Sequence, residues 1–175
     1  MIYQLPFGPG RKYLQSGPAA WILGDWQANG IFSIRSGQPL SILVNGDVAN
    51  VGGTVFGIGY ARANLTGSPH VSHPNKSEWF NTSAYSVPSY SYGNSPRNGL
   101  NSDHVTQFDM SAFKRFPITA EGPYFEFRAE AFNIFNIINY AAPANVANGA
   151  GFGTVSSLIP GIPPRELQFT LAFNF

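Results

Sequence analysis

Three groups of side chains in this sequence could do chemistry: histidines near an acid, charges in alternation, and tyrosines set in a polar stretch. His70-Val71-Ser72-His73 places two imidazoles three residues apart, and Asp103-His104 puts a carboxylate beside another. Two histidines at that spacing could share a metal, but no cysteine or carboxylate follows at the spacing that would complete a ligand set. No Gly-x-Ser-x-Gly, phosphate-cradling loop or His-Glu-x-x-His pattern occurs either. The expectation is therefore no enzymatic activity: no catalytic residue, no metal site and no cofactor, with the histidines read as solvated loop residues.

Tyr85, Tyr90 and Tyr92 lie among Ser, Pro and Asn, shortly after Trp79 and Phe80. Aromatic rings amid hydrogen-bonding groups make a platform for a small ligand, a peptide or a glycan. The three tyrosines are the expected ligand contacts, whereas Trp79 and Phe80 are expected to pack their loop. Glu126, Arg128 and Glu130 alternate with Phe125, Phe127, Ala129 and Ala131. A strand sends successive side chains to opposite faces, so the charges share one face and the rings the other. Three charges cannot enter an apolar sandwich core without a large desolvation cost. They fit the polar lumen of a membrane barrel, with Gln168 of the last segment beside them.

That last segment, Leu167 to Phe175, has Leu or Phe at every odd position and Gln, Thr, Ala or Asn at every even one. One wholly apolar face and one small or polar face is the pattern of a strand in a transmembrane barrel, apolar side to lipid. Around it the sequence predicts about five antiparallel strands of the up-and-down kind, over residues 1–5, 26–44, 105–116, 124–135 and 167–175. Long outer loops are expected over residues 45–104 and 136–166. A short turn is expected around Thr119-Ala120-Glu121-Gly122, on the opposite side from both loops, which matches short periplasmic turns and long extracellular loops. The connection from the first strand to the second is long for such a turn, and is expected to be a packed Pro- and Trp-containing turn.

Composition agrees. Charged residues are 11% and aromatic residues 15%, against about 25% charged in soluble domains. No apolar run reaches the length of a membrane helix. A net charge of +1 with scattered Lys and Arg leaves no electrostatic footprint for nucleic acid. With no cysteine there is no disulfide framework. After Met1, the run Ile-Tyr-Gln-Leu-Pro-Phe-Gly lacks the basic and apolar regions of a secretory leader. An exported barrel needs one, so the chain is expected to be part of a longer precursor. The rival expectation is a soluble, secreted β-sandwich that binds glycans through its aromatic loops.

A family likeness runs along the whole chain. Its pieces are Tyr3-Gln4-Leu5-Pro6-Phe7-Gly8, Gly24-Asp25-Trp26-Gln27-Ala28-Asn29-Gly30-Ile31-Phe32, Ser36-Gly37-Gln38-Pro39 and Trp79-Phe80-Asn81. Further on stand Tyr92-Gly93-Asn94-Ser95-Pro96-Arg97-Asn98, Phe108-Asp109-Met110-Ser111 and Phe127-Arg128-Ala129-Glu130-Ala131-Phe132-Asn133-Ile134-Phe135-Asn136, then Pro164-Arg165-Glu166 leading into the terminal segment. In that order and spacing they resemble the C-terminal barrel section of TonB-dependent outer-membrane receptors, in the Oar-like group that often carries a carboxypeptidase-regulatory-like domain.

The resemblance implies a plugged barrel of about 22 strands in the bacterial outer membrane, energised by TonB and importing a scarce ligand. This chain would supply only the last strands, and would meet the TonB system through missing N-terminal parts. Its partners would be outer-membrane lipid and the barrel-assembly machinery. For the latter, Phe169, Leu171, Phe173 and Phe175 would be the assembly signal. Arg97 would hydrogen-bond loop carbonyls.

Overall fold

The computed structural model of the protein describes residues 2–52, 60–119 and 122–175. In chain order the strands are β1 Ile2–Gln4, β2 Gln27–Arg35, β3 Pro39–Leu40, β4 Leu43–Asn45, β5 Tyr60–Arg62 and β6 Asn64–Leu65. They continue with β7 Tyr85–Ser86, β8 Leu100–Asn101, β9 Val105–Pro117, β10 Tyr124–Phe132 and β11 Glu166–Asn174. Helix α1 spans Pro18–Leu23 and a 3-10 turn spans Thr82–Ala84. The chain divides into two units: Met1–Ile34, Thr106–Ile138 and Pro163–Phe175 form the first, Arg35–Val105 and Asn139–Ile162 the second.

The first unit is a five-stranded sheet in the order β1-β2-β9-β10-β11, an up-and-down meander of antiparallel strands. Its register follows the alternation in the sequence. Phe125 lies opposite Phe116 and Phe173, Phe127 opposite Lys114 and Leu171, and Ala129 opposite Ala112 and Phe169. On the other face Glu126 lies opposite Arg115 and Ala172, and Glu130 opposite Ser111 and Gln168. Slipping any strand by one residue would exchange these faces, so the pattern fixes the register. The connections from β2 to β9 and from β10 to β11 both leave the end opposite the β9–β10 turn. Of that turn, Ala120 and Glu121 lie outside the described residues, as does Met1 of the first expected strand.

Two expectations are corrected. The expected strand over 26–44 stops at Arg35. Beyond it, a Cβ on Gly37 would stand 1.9 Å from the Ser102 carbonyl oxygen, and Pro39 lacks the N–H that a continuing ladder needs. The expected strand over 124–135 stops at Phe132, because Asn133 turns to a φ of 48° and Asn136 to 53°. Asn tolerates that left-handed region better than other side chains. The turn is locked from within: Asn133 Nδ2 donates to the Ile137 carbonyl at 2.9 Å, and Ile137 N–H returns to Asn133 Oδ1 at 2.9 Å. Asp109 Oδ1 accepts the Asn133 N–H at 2.9 Å.

The long connection between β1 and β2 is a packed turn built around α1, which begins at Pro18, a residue suited to the first turn of a helix. The helix explains a cation on the apolar face. Lys114 is buried, and its Nζ donates to the carbonyls of Trp21 and Ile22. Phe116 lies under the ammonium at 4.9 Å, and the Trp21 ring packs 5.4 Å from Phe116.

The second unit is not irregular loop. It pairs β3 with β8, β4 with β5 and β6 with β7, around a core of Leu40, Ile42, Val44, Ala63, Phe80 and Leu100. Residues 53–59 of the expected loop lie outside the described residues. Chain segments too short for a continuous ladder are tied by Asn side chains. Asn145 Nδ2 donates to the Ser41 carbonyl at 2.8 Å, Asn94 Oδ1 accepts Leu65 N–H at 2.7 Å, and Asn81 Nδ2 reaches the Ser68 carbonyl at 3.0 Å.

Candidate functional site

Polar and aromatic groups gather on the sheet and in the second unit. On the sheet, Glu126 accepts from Arg115 Nε at 3.1 Å and from Arg128 Nη2 at 2.9 Å, its side chain only 14% exposed. Arg128 also lies 5.6 Å above the Phe113 ring, which accounts for an aromatic residue on the polar face. Gln107 Nε2 donates to both oxygens of Asp109, at 3.1 and 3.0 Å. Glu126, Arg128, Glu130 and Gln168 thus share one face with Arg115 and Asp109. The opposite face carries Phe125, Phe127, Phe169, Leu171 and Phe173. Phe169 is 67% and Leu171 69% exposed, so the terminal strand presents bare hydrocarbon with nothing from its own unit upon it.

In the second unit a cavity of about 280 Å³ is lined by Asp47, Val51, Tyr60, Arg62, Tyr92 and Gly93, among others. Tyr60 is set by the β4–β5 pairing, opposite Asn45. Arg62 is held by Nη1 on the Ser95 carbonyl at 2.8 Å, and Asp47 accepts the N–H groups of Val51 at 3.1 Å and Gly52 at 2.5 Å. Gly93 lets its segment approach β5: a Cβ there would lie 1.9 Å from the Arg62 carbonyl oxygen. Aromatic faces beside a fixed guanidinium and a carboxylate can stack on a sugar or grip a peptide.

The expected tyrosines part company here. Tyr92 lines this cavity and is 74% exposed, and Tyr90 is 82% exposed with a φ of 48°. Tyr90 is not in the cavity's lining, and Tyr85 lies elsewhere again. Its ring stands edge-on to Phe80 at 5.8 Å and Phe152 at 6.2 Å, against the core, and burial raises its hydroxyl pKa. Phe80 is core, 1% exposed, and Trp79 packs on it with its indole N–H on the Asn101 carbonyl at 3.1 Å. Arg97 is exposed and makes no hydrogen bond among the described residues; the guanidinium that holds a loop carbonyl is that of Arg62. Sequence reading missed Tyr60, Asp47 and Arg62. The short Tyr60-Ala61-Arg62 alternation was their one signal.

Asp103 and His104 pair at 3.0 Å, and Asp103 borders a separate cavity of about 220 Å³ with Arg35, Gln38, Ser102 and Tyr140. His70 lines a further groove with Trp79 and Leu100. Among the described residues no three His, Asp or Glu side chains converge as a metal site. Phe175 is fully exposed, its ring 6.1 Å from Phe173. The family described as Outer membrane beta barrel domain matches residues 1–168. No curated protein and no solved structure matches the chain.

Proposed function

The chain belongs to the Outer membrane beta barrel domain family, and on that premise we propose that it is the C-terminal barrel section of a TonB-dependent, Oar-like transporter. Its place is the bacterial outer membrane. The rival soluble sandwich is overturned by that family and by a sheet whose apolar face is uncovered within its own unit.

One observation carries the proposal: a single sheet with an exposed hydrocarbon face and an ion-paired polar face, both long connections leaving one end. In a barrel the first face meets lipid and the second the lumen, where Glu126, Arg128, Glu130 and Gln168 form wall. β1 and β11 are the edges of this sheet. Unpaired edges in hydrocarbon would leave backbone groups unsatisfied, so these strands belong to a larger closed barrel. The second unit is its outer-loop portion, and Tyr60, Tyr90 and Tyr92 contact a small ligand, peptide or glycan. Energy comes from TonB through a plug in other parts of the protein. Phe169, Leu171, Phe173 and Phe175 present the strand to the barrel-assembly machinery.

The test is the native mass recognised by an antibody against the terminal strand in outer-membrane fractions. A band near roughly 100 kDa, plug plus large barrel, is expected. A band at the mass of the 175-residue chain alone would overturn the transporter reading. In the intact protein, Tyr60→Ala with Tyr92→Ala should abolish binding to whichever members of an oligosaccharide and peptide panel the parent binds. Undiminished binding would remove the cavity from the ligand path.

A further inference from the structure

We propose that the lipid-facing side of the sheet carries a built phospholipid site, a groove beside α1 that holds one acyl chain from the periplasmic leaflet. Lys12 meets the phosphate of that lipid. The inference rests on the outer-membrane location and is independent of the transporter reading.

The groove has a volume of about 530 Å³, within the roughly 300–1,000 Å³ of small-molecule sites. Its floor is Ala28 of β2 and Ala112 of β9, and its walls are Leu5, Phe7, Leu14, Leu23 and Trp26. Every lining residue is apolar, so there is nothing to orient water or a polar ligand. The floor is low because two alanines stand where the same face elsewhere carries Phe32, Phe108, Phe116 and Phe127. A second, smaller apolar depression also has Ala112 in its lining, with Ala129, Ala131, Leu167 and Phe169. Small residues thus give this face a trough.

The walls are braced. Lys114 ties the carbonyls of Trp21 and Ile22 to β9. Trp26 stands edge-on to Phe127 at 6.0 Å and donates its indole N–H to the Ile22 carbonyl at 3.0 Å. These contacts hold α1 beside the floor without letting it fall in, so the groove is formed before any lipid arrives. A pre-formed site avoids the ordering cost that weakens binding to a soft surface.

The remaining wall supplies the charge. Phe7 and Leu14 flank a tight loop closed by Gly8 N–H on the Tyr13 carbonyl and Tyr13 N–H on the Pro6 carbonyl, both at 3.0 Å. Arg11 and Lys12 occupy its tip. Arg11 is drawn to Asp25 at 4.0 Å. Lys12 is exposed, its ammonium 5.2 Å above the Tyr13 ring, with no acidic partner among the described residues. This end of the sheet also holds the short β9–β10 turn, which in outer-membrane barrels is periplasmic. Lysine and tryptophan there sit at headgroup depth. Apolar walls continuous with the lipid-facing sheet, with one available cation on the loop that carries Phe7 and Leu14, select a phospholipid.

The experiment titrates the intact protein in detergent with phosphatidylglycerol brominated on its acyl chains. The signal of Trp26 is taken as the difference from the Trp26→Phe variant. Quenching should saturate near one lipid per protein. Ala112→Leu, which fills the floor, should weaken binding at least tenfold, and Lys12→Gln severalfold with the same maximal quench. Leu171→Phe, on the same face away from the groove, should bind as the parent does. If Ala112→Leu does not assemble, Ala28→Val makes the same test from the other side of the floor. Quenching that rises in proportion to lipid in every variant would mean bulk lipid only and would overturn the site. So would unchanged affinity in the floor variant.

Discussion

Replacing Asn133 by Ala should open the end of β10. The residue is 1% exposed, and its side chain makes three hydrogen bonds: to the carbonyls of Ile137 at 2.9 Å and Pro163 at 3.3 Å, and from Ile137 N–H at 2.9 Å. At roughly 0.5–1.5 kcal/mol each, weighted toward the two short bonds, these sum to about 2–4 kcal/mol. Its φ of 48° adds about 1 kcal/mol when a Cβ without a polar side chain must hold it. The expected loss is therefore about 3–5 kcal/mol, local to residues 132–138. A large barrel does not unfold in one step, so the assay is hydrogen exchange of that segment in the intact protein in vesicles. Since about 1.4 kcal/mol is a factor of ten, exchange at Ile137 should accelerate by roughly two to three and a half orders of magnitude. Asn133→Gly, free of the φ penalty, should recover about fivefold of that. Protection in Asn133→Ala within threefold of the parent would refute the reasoning.

Facing is tested by one substitution made on adjacent residues. Leu171→Arg, on the lipid face, should cost up to about 2–4 kcal/mol, while Ala172→Arg, opposite Glu126, should change local stability by less than about 0.5 kcal/mol; hydrogen exchange of β11 in vesicles compares them. Phe80→Ala empties the middle of the second unit's core and should cost about 3–5 kcal/mol, read as protease sensitivity of that unit in the intact protein. Phe175→Ala should lower the amount of heat-modifiable protein in the outer membrane; normal assembly would remove the terminal ring from the signal.

The sheet was legible because its information is periodic. Phe125 to Ala131 and Leu167 to Phe175 alternate without a break, and alternation needs no partner to be recognised. Where the pattern is interrupted, the reason lies in other segments. Phe113 is on the polar face because Arg128 covers it, and Lys114 is on the apolar face because α1 offers it two carbonyls. Neither neighbour is near in sequence. The core of the second unit was illegible for the same reason: strands of two or three residues carry too little periodicity, and Asn side chains replace the ladder. Tyr85 and Tyr92 look alike in sequence, in the same Ser- and Pro-rich stretch. Only the pairing of β7 with β6, which turns Tyr85 toward Phe80, separates the core ring from the exposed one.

The same second unit carries a cost in time. Leu43 exchanges backbone hydrogen bonds with Asn145 and Ala147, and Asn45 with the side chain of Asn148, 103 residues along. Closing so long a loop is entropically expensive, though each doubling adds only about 0.6 kcal/mol, and distant pairings are slow to find. Synthesis delivers β4 first, then β9 and β10, and the segment that completes the core nearly last. Until it arrives, Ile42, Val44 and Phe80 have no closed interior to enter. The order in which the chain is made therefore leaves those side chains uncovered until its last quarter has been synthesised.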